Sequence, residues 1–211
     1  MTVIPPEGVG LAGLRTAARD CRGCELWEPA TQTVFGAGPE TARLVFVGEQ
    51  PGDQEDRRGE PFVGPAGRLL DRALTDAGID RADTYVTNAV KHFRFRPTPK
   101  RRLHQSPGSE HIAACRPWLD AELALLMPEI VVCLGAVAAK ALISPSFRIT
   151  ADRGRLLPRP STLSEDEAGV QQTWLLATTH PSAILRTPDE ERPAAYDALV
   201  ADLAVAASVL A

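Results

Sequence analysis

Three short stretches concentrate side chains that can do chemistry. The run GEQPGD, residues 48–53, sets Glu49 and Gln50 between two glycines. Gly48 and Gly52 permit backbone shapes that other residues avoid, so main-chain N–H groups there are expected to face a ligand. The pattern is neither GxGxxG nor GxxxxGK, which weighs against a phosphate loop. A carboxylate such as Glu49 can act as a general base or stabilise a developing cation; a solvated loop carboxylate is the plainer role. Phe62, in the same polar stretch, offers a flat face to a ring or a small core contact. Asn88, in TNAVKHF, is the only asparagine in the chain. Its amide can present a donor and an acceptor to a pyrimidine edge, and it can equally serve a turn. His180, in THPSAILR, stands before a proline. A histidine there can donate to an oxygen that gains charge as a leaving group departs.

The four cysteines fall as Cys21-x-x-Cys24, then Cys115 and Cys133. Four thiolates can hold an iron–sulfur cluster or a structural zinc, and spacing alone does not choose between them. Cys133 lies in the apolar run IVVCLG, where a core cysteine is the simpler reading.

Charge is unevenly spread. The chain is −4 overall, yet residues 91–105, KHFRFRPTPKRRLHQ, carry six cations and no acid. That segment is +6 and the remainder −10. A basic loop on an acidic body is an electrostatic footprint for a polyanion, or else a solvated loop. Phe93 and Phe95 interleave with the cations, which suits single-stranded nucleic acid through base stacking.

The elements that must position these residues alternate. Apolar runs at 43–48, 130–134 and 174–178, together with the segment 84–89, read as strands. Helical spacing covers 8–20, 65–77, 109–127, 136–142 and 193–209, and Pro65 and Gly78 punctuate the second. Residues 144–172, rich in Pro, Ser and Gly, read as hairpin or loop. The expected fold is α/β: a three-layer α/β/α domain around a central, mostly parallel four-stranded sheet. Three of the four strands run straight into GEQPGD, NAVKHF and THPSAILR, and strand C-terminal ends are where such sheets bind ligands.

With 211 residues, 44% hydrophobic and 24% charged, the chain has the composition of a folded globular protein rather than a disordered one. The most apolar stretch, 130–143, is interrupted by Lys140 and falls short of the ~20 residues a bilayer requires. The first ten residues lack a basic leader and an apolar core, so no secretory signal is expected and the cytoplasm is the expected compartment.

Taken in order, Cys-x-x-Cys, GEQPG, EPFVGPAG, TNAVKHF, ACRPWL, VVCLG and THPS resemble the iron–sulfur uracil-DNA glycosylases of family 4, from about Cys21 to Leu203. Two features are similar to the UdgX branch, which cross-links to uracil-containing DNA: Gln50, where family 4 members usually carry Ala or Gly, and the insert KRRLHQ, residues 100–105. Leu103 replaces the isoleucine of that branch motif, a near volume-conserving change.

The resemblance implies a single domain over 1–211, with a cluster-binding segment at about 8–30 and a DNA-binding loop at 91–105. It implies base excision in DNA repair by base flipping. Phe62 would stack on the flipped uracil, Asn88 would read its Watson–Crick edge and His180 would contact its O2 side. Gln50, Asp53 and the nearby main chain would line the pocket, and Phe62 is one candidate to exclude the thymine methyl. Lys100, Arg101, Arg102, Ser182 and Arg186 would hold the DNA backbone. Cys21, Cys24, Cys115 and Cys133 would ligate [4Fe–4S]. Glu49 would stabilise the sugar cation, and His104 would attack C1′, giving a single-turnover enzyme. The alternative is a conventional, multiple-turnover family 4-type glycosylase using water. Single-stranded DNA is the expected preferred substrate, and the protein is expected to act as a monomer.

Overall fold

Continuous apolar runs become strands buried on both faces, as a parallel sheet between helices requires. The computed structural model describes residues 3–159 and 172–210. Its strands are β1 (Leu44–Gly48), β2 (Thr84–Asn88), β3 (Phe95–Pro97), β4 (Arg102–His104), β5 (Ile130–Leu134), β6 (Leu157–Pro158) and β7 (Trp174–Thr178). Its α-helices are α1 (Leu11–Ala18), α2 (Asp53–Arg58), α3 (Pro65–Asp76), α4 (Ser109–Leu126), α5 (Ala136–Leu142), α6 (Ile149–Asp152), α7 (Pro181–Ile184) and α8 (Arg192–Ser208).

The main sheet has the order β2-β1-β5-β7-β6. The first four strands pair in parallel, with Gly48 opposite Asn88 and Val47 opposite Cys133. Alternation along the strands divides the core. Val45, Val47, Val131 and Cys133 pack with Leu119 and Leu123 of α4 and Ala138 of α5 on one face. Leu44, Phe46, Val132 and Leu176 pack with Leu70 and Leu74 of α3 and Leu199 and Leu203 of α8 on the other. The result is the expected α/β/α sandwich.

The sheet has five strands rather than four. β6 contributes two residues, antiparallel to β7, at one edge. Two residues carry no readable period, and Pro158 is tolerated there because an edge strand need not donate outward. Of the stretch 144–172 expected to be loop or hairpin, α6 and β6 occupy part, and 160–171 lie outside the described residues.

The basic loop also has structure. β3 and β4 form a two-stranded antiparallel hairpin, Phe95 opposite His104 and Pro97 opposite Arg102. α2, within the stretch read as loop, starts at Gly52, where Glu55 occupies the third helical position and accepts from the Gly52 N–H at 3.1 Å. A third apolar cluster joins Leu14 and Ala18 of α1 to Cys115 and Trp118 of α4, with Phe35 and Val90.

Candidate active site

Between β1 and β5 the order of strands reverses, and the crevice at their C-terminal ends is where a doubly wound sheet binds ligands. A cavity of about 820 Å³ opens there. Glu49 enters it from the end of β1, Asn88 from the end of β2, Gly135 from the end of β5 and His180 from beyond β7. Phe62, Gln50, His104, Ser182 and Arg186 complete the walls relevant to chemistry.

Local backbone explains the tight placement of the ring and the amide. A Cβ on Gly48 would fall 2.4 Å from Asn88 Oδ1 and 2.8 Å from the Phe62 ring, so only glycine lets both reach the strand end. Phe62 itself has φ 58°, a left-handed conformation costly for a bulky residue. Gly67 of α3 accommodates it: a Cβ there would meet the Phe62 carbonyl oxygen at 1.6 Å. The Phe62 ring faces the His180 imidazole, with centroids 6.2 Å apart and planes 26° from parallel.

His180 precedes α7 and caps it, its Nδ1 accepting from the Ser182 N–H at 3.0 Å. The remaining ring proton therefore belongs to Nε2. Burial, followed by the charge of Arg186 and then His104, pushes the His180 pKa down to about 4. At neutral pH the side chain is an uncharged N–H donor.

Glu49 Oε1 is buried and, among the described residues, has no hydrogen-bond partner. Its nearest basic group is His104 Nε2, at 3.9 Å. A buried carboxylate oxygen left without a donor marks a place where a ligand, a water or a cation completes the structure.

His104 reaches the cavity because the hairpin is fastened to α2. Arg102 bonds Asp53 through Nε at 2.5 Å and Asp56 through Nη1 at 2.6 Å, and its guanidinium lies over the rings of Phe93 and Phe95. Gln50 holds the hairpin from the other side. Its Oε1 accepts from the Arg94 N–H at 3.0 Å, and its Nε2 faces Gln105 O and His104 Nε2 at 2.9 Å each and Arg94 O at 3.2 Å. Burial, offset in part by Glu49 and aided by Arg186, lowers the His104 pKa.

Several expected roles change. Asp53 does not line the cavity; it pairs with Arg102 and Arg57. Arg102 is spent on Asp53 and Asp56 and does not point to a phosphate. Lys91 is 1% exposed and paired with Glu122, so it leaves the basic footprint. Phe93 is 1% exposed and stacks on Phe95, which makes it hairpin core rather than a platform for bases. Gln50 has its amide bonded to the hairpin. The Gly52 N–H is taken by Glu55, not offered to a ligand. Arg96, Lys100, Arg101 and Arg186 remain exposed, and Arg186 borders the cavity.

Glu55 and Asp56 were missed in the sequence. Glu55 accepts from Gly52 N and, at 2.7 Å, from Gly64 N, closing the polar loop around the cavity. Asp56, fully buried, accepts from Thr31 N and Arg102. The spacing Asp53-x-x-Asp56 was the available signal, since positions i and i+3 share a helix face.

The cysteines divide three to one. Cys21, Cys24 and Cys115 belong to the third apolar cluster. Trp118 Nε1–H donates to Cys21 Sγ and the Lys91 N–H to Cys115 Sγ, both at 3.2 Å, and N–H donors to sulfur suit metal-bound thiolates. Cys133 sits in the sheet core among Val45, Val131 and Leu175. Burial alone pushes its thiol up to about 12. Among the described residues no three His, Cys, Asp or Glu side chains are gathered closely enough to hold a metal ion. The four-cysteine ligand set does not fit this arrangement, and Cys133 is corrected to a core residue.

The chain as a whole has relatives among known proteins. Residues 35–204 match the model of the uracil DNA glycosylase superfamily. The type-4 uracil-DNA glycosylase of Archaeoglobus fulgidus is 36% identical over 172 residues, 80% of this chain and 79% of that protein. That of Thermotoga maritima is 37% identical over 174 residues, covering 82% of each. That of Pyrobaculum aerophilum is 36% identical over 178 residues, 84% of this chain and 86% of the relative. A match spanning β1 through most of α8, over the strands that build the cavity, leaves one assignment: the chain belongs to the uracil-DNA glycosylase superfamily.

Proposed function

We propose that this protein excises uracil from DNA by base flipping and that His104 then captures the sugar. The observation carrying the reading is that Glu49, Phe62, Asn88, His104 and His180, spread over more than 130 residues of sequence, line one cavity. Phe62 offers the flipped base a face and Asn88 a donor and an acceptor. The neutral His180 Nε2–H is available to the uracil O2 side. As the C1′–N1 bond breaks, its electron pair leaves with uracil, where His180 stabilises the charge. The half-buried Glu49 carboxylate, its Oε1 shielded from water, faces the cation left on the sugar.

The names of the relatives speak for conventional turnover, in which water adds to C1′ and yields an abasic site. The position of His104 favours capture. Its Nε2 lies 3.9 Å from Glu49, on a hairpin fixed from two sides. In that path the Nε2 lone pair forms a C1′–N bond, and the Nδ1 proton is released, balancing the proton taken up by the uracil anion. Gln50 and the KRRLHQ insert align the chain with the UdgX branch.

Lys100, Arg101, Arg186 and Ser182 are the groups we assign to phosphates, and single-stranded DNA is the substrate we favour. The protein is read as one domain acting as a cytoplasmic monomer. A [4Fe–4S] cluster, on this reading, would sit at the Cys21, Cys24 and Cys115 patch and would have to draw these thiols together, since they are not gathered to ligand distance here; there it would brace α1 against α4. No chemical step above passes through it.

Incubation with uracil-containing single-stranded DNA followed by denaturing electrophoresis tests the proposal. A shifted band that survives boiling and detergent supports capture. Abasic product without a shift supports turnover, and the absence of both products overturns both readings.

A further inference from the structure

We propose that the buried Lys91–Glu122 pair is the positioning device for Asn88, and through it for uracil discrimination; this rests on the reading of Asn88 as the residue that meets the base. Every polar atom of Lys91 is engaged. Its N–H donates to Cys115 Sγ at 3.2 Å and its carbonyl accepts from Val34 N at 2.8 Å. Its Nζ has three protons and three acceptors: a Glu122 carboxylate oxygen, Thr87 Oγ1 at 2.7 Å and the Asn88 carbonyl at 2.8 Å. Two of those acceptors belong to the last two residues of β2. The third ties them to α4, whose Glu122 also receives Tyr85 Oη–H at 2.8 Å and Gly36 N–H at 3.1 Å.

Both charges are removed from water, with side chains 1% and 0% exposed. A buried ion pair contributes little net stability, since apolar or neutral replacements of similar shape often cost nothing. What this pair does supply is geometry. It fixes the Asn88 peptide at the point where β2 ends, and so fixes the direction in which the amide enters the cavity. Hydrogen-bonded support behind a binding residue is what holds such a group to within the ~0.5 Å that function demands. The same lysine's N–H on Cys115 Sγ connects the thiol patch to this support.

The test replaces both partners together, because removing one strands a buried charge. Lys91→Met with Glu122→Gln is compared with wild type in single-turnover uracil release, in uracil-over-cytosine discrimination and in melting temperature. Positioning predicts a folded variant with a half-saturating concentration within twofold of wild type. Its maximal rate should fall by roughly 10- to 100-fold, the scale of an ångström-sized misplacement, with reduced discrimination. A folded variant whose rate and discrimination match wild type overturns the proposal while leaving the glycosylase reading intact. If wild type itself releases no uracil, that reading falls and this inference falls with it. Should the double variant not fold, the isosteric Thr87→Val, which removes one acceptor of Nζ, is measured instead: lost discrimination supports the proposal and unchanged discrimination overturns it.

Discussion

Gln50 Nε2 lies 2.9 Å from His104 Nε2, and this contact sets the protonation of the imidazole. The amide cannot be reversed without cost, because its oxygen accepts from Arg94 N–H while its nitrogen faces two carbonyls. An N–H on His104 Nε2 would therefore point at another N–H. The favoured tautomer carries its proton on Nδ1 and its lone pair on Nε2, beside Glu49. Two amide protons also serve three acceptors, so the lone pair is only partly engaged. Gln50→Ala should release both the tautomer and the hairpin. We expect covalent capture to slow about 10- to 100-fold while uracil release falls less, read by paired gel-shift and base-release time courses.

Arg101 and Arg102, adjacent in sequence, should behave differently. Arg102→Ala leaves the fully buried Asp56 without its cation, a change that costs about 3–5 kcal/mol. We expect a lowered melting temperature and loss of capture together. Arg101 is exposed, and its main-chain atoms bond Thr98. Arg101→Ala should leave stability unchanged and weaken DNA binding uniformly, reducing the salt slope by about one. Equal melting temperatures for the two variants would contradict the assignment.

The difference between these neighbours shows where the sequence was legible. Continuous apolar runs announced β1, β5 and β7, because burial on both faces leaves no polar alternation; with the β2 segment TYVTN they outlined the crevice. The residues facing the cavity stood out because Glu49, Asn88 and His180 follow strand ends. Composition could not say which cations of KHFRFRPTPKRRLHQ face water. Lys91 and Arg102 find carboxylates 31 and 46 residues away in sequence, and such pairings depend on tertiary packing. Cys133 was misassigned for a similar reason: counting four thiols is possible in one dimension, but a strand's alternation decides which side each faces.

That alternation gives a prediction for iron. Cys115→Ser should lose most of the iron and the visible colour of anaerobically purified protein, because Cys115 sits with Cys21 and Cys24. Cys133→Ser should keep the iron and lose only packing, at the 1–3 kcal/mol typical of a buried polar atom without a partner. Iron analysis beside thermal melting separates the two effects. Loss of iron from Cys133→Ser at unchanged stability would restore the four-cysteine ligand set.

His92 provides a stability test. It is 4% exposed, bonded through Nε2 to Thr33 Oγ1 at 2.9 Å, and burial pushes its pKa down to about 4, with Asp56 opposing. The unfolded chain takes up this proton near pH 6.5, whereas the folded chain resists it until about pH 4. Stability should therefore fall as pH drops through that window, by on the order of 3 kcal/mol for this residue. His92→Gln should flatten that part of the melting-temperature profile. An unchanged slope would mean that another group governs acid sensitivity.

His104 titrates in the same direction, with a consequence for chemistry. Burial and Arg186 lower its pKa below the ordinary histidine value, against the opposing charge of Glu49. The neutral imidazole, which alone can attack C1′, therefore persists to lower pH than a free histidine would allow. Covalent capture should hold constant as pH falls to about 6.5, the reference histidine pKa, and decline only below it. His104→Ser removes the nucleophile and opens its space to water. That variant should form no heat-stable adduct, yet should release uracil and leave an abasic site, because Glu49, Asn88 and His180 are untouched. Its uracil release should lack the acid-side decline that belongs to His104, once the unfolding contributed by His92 is excluded by melting at each pH. An adduct that persists in His104→Ser, or peptide mapping that places the sugar on another residue of wild type, would remove His104 from the reaction.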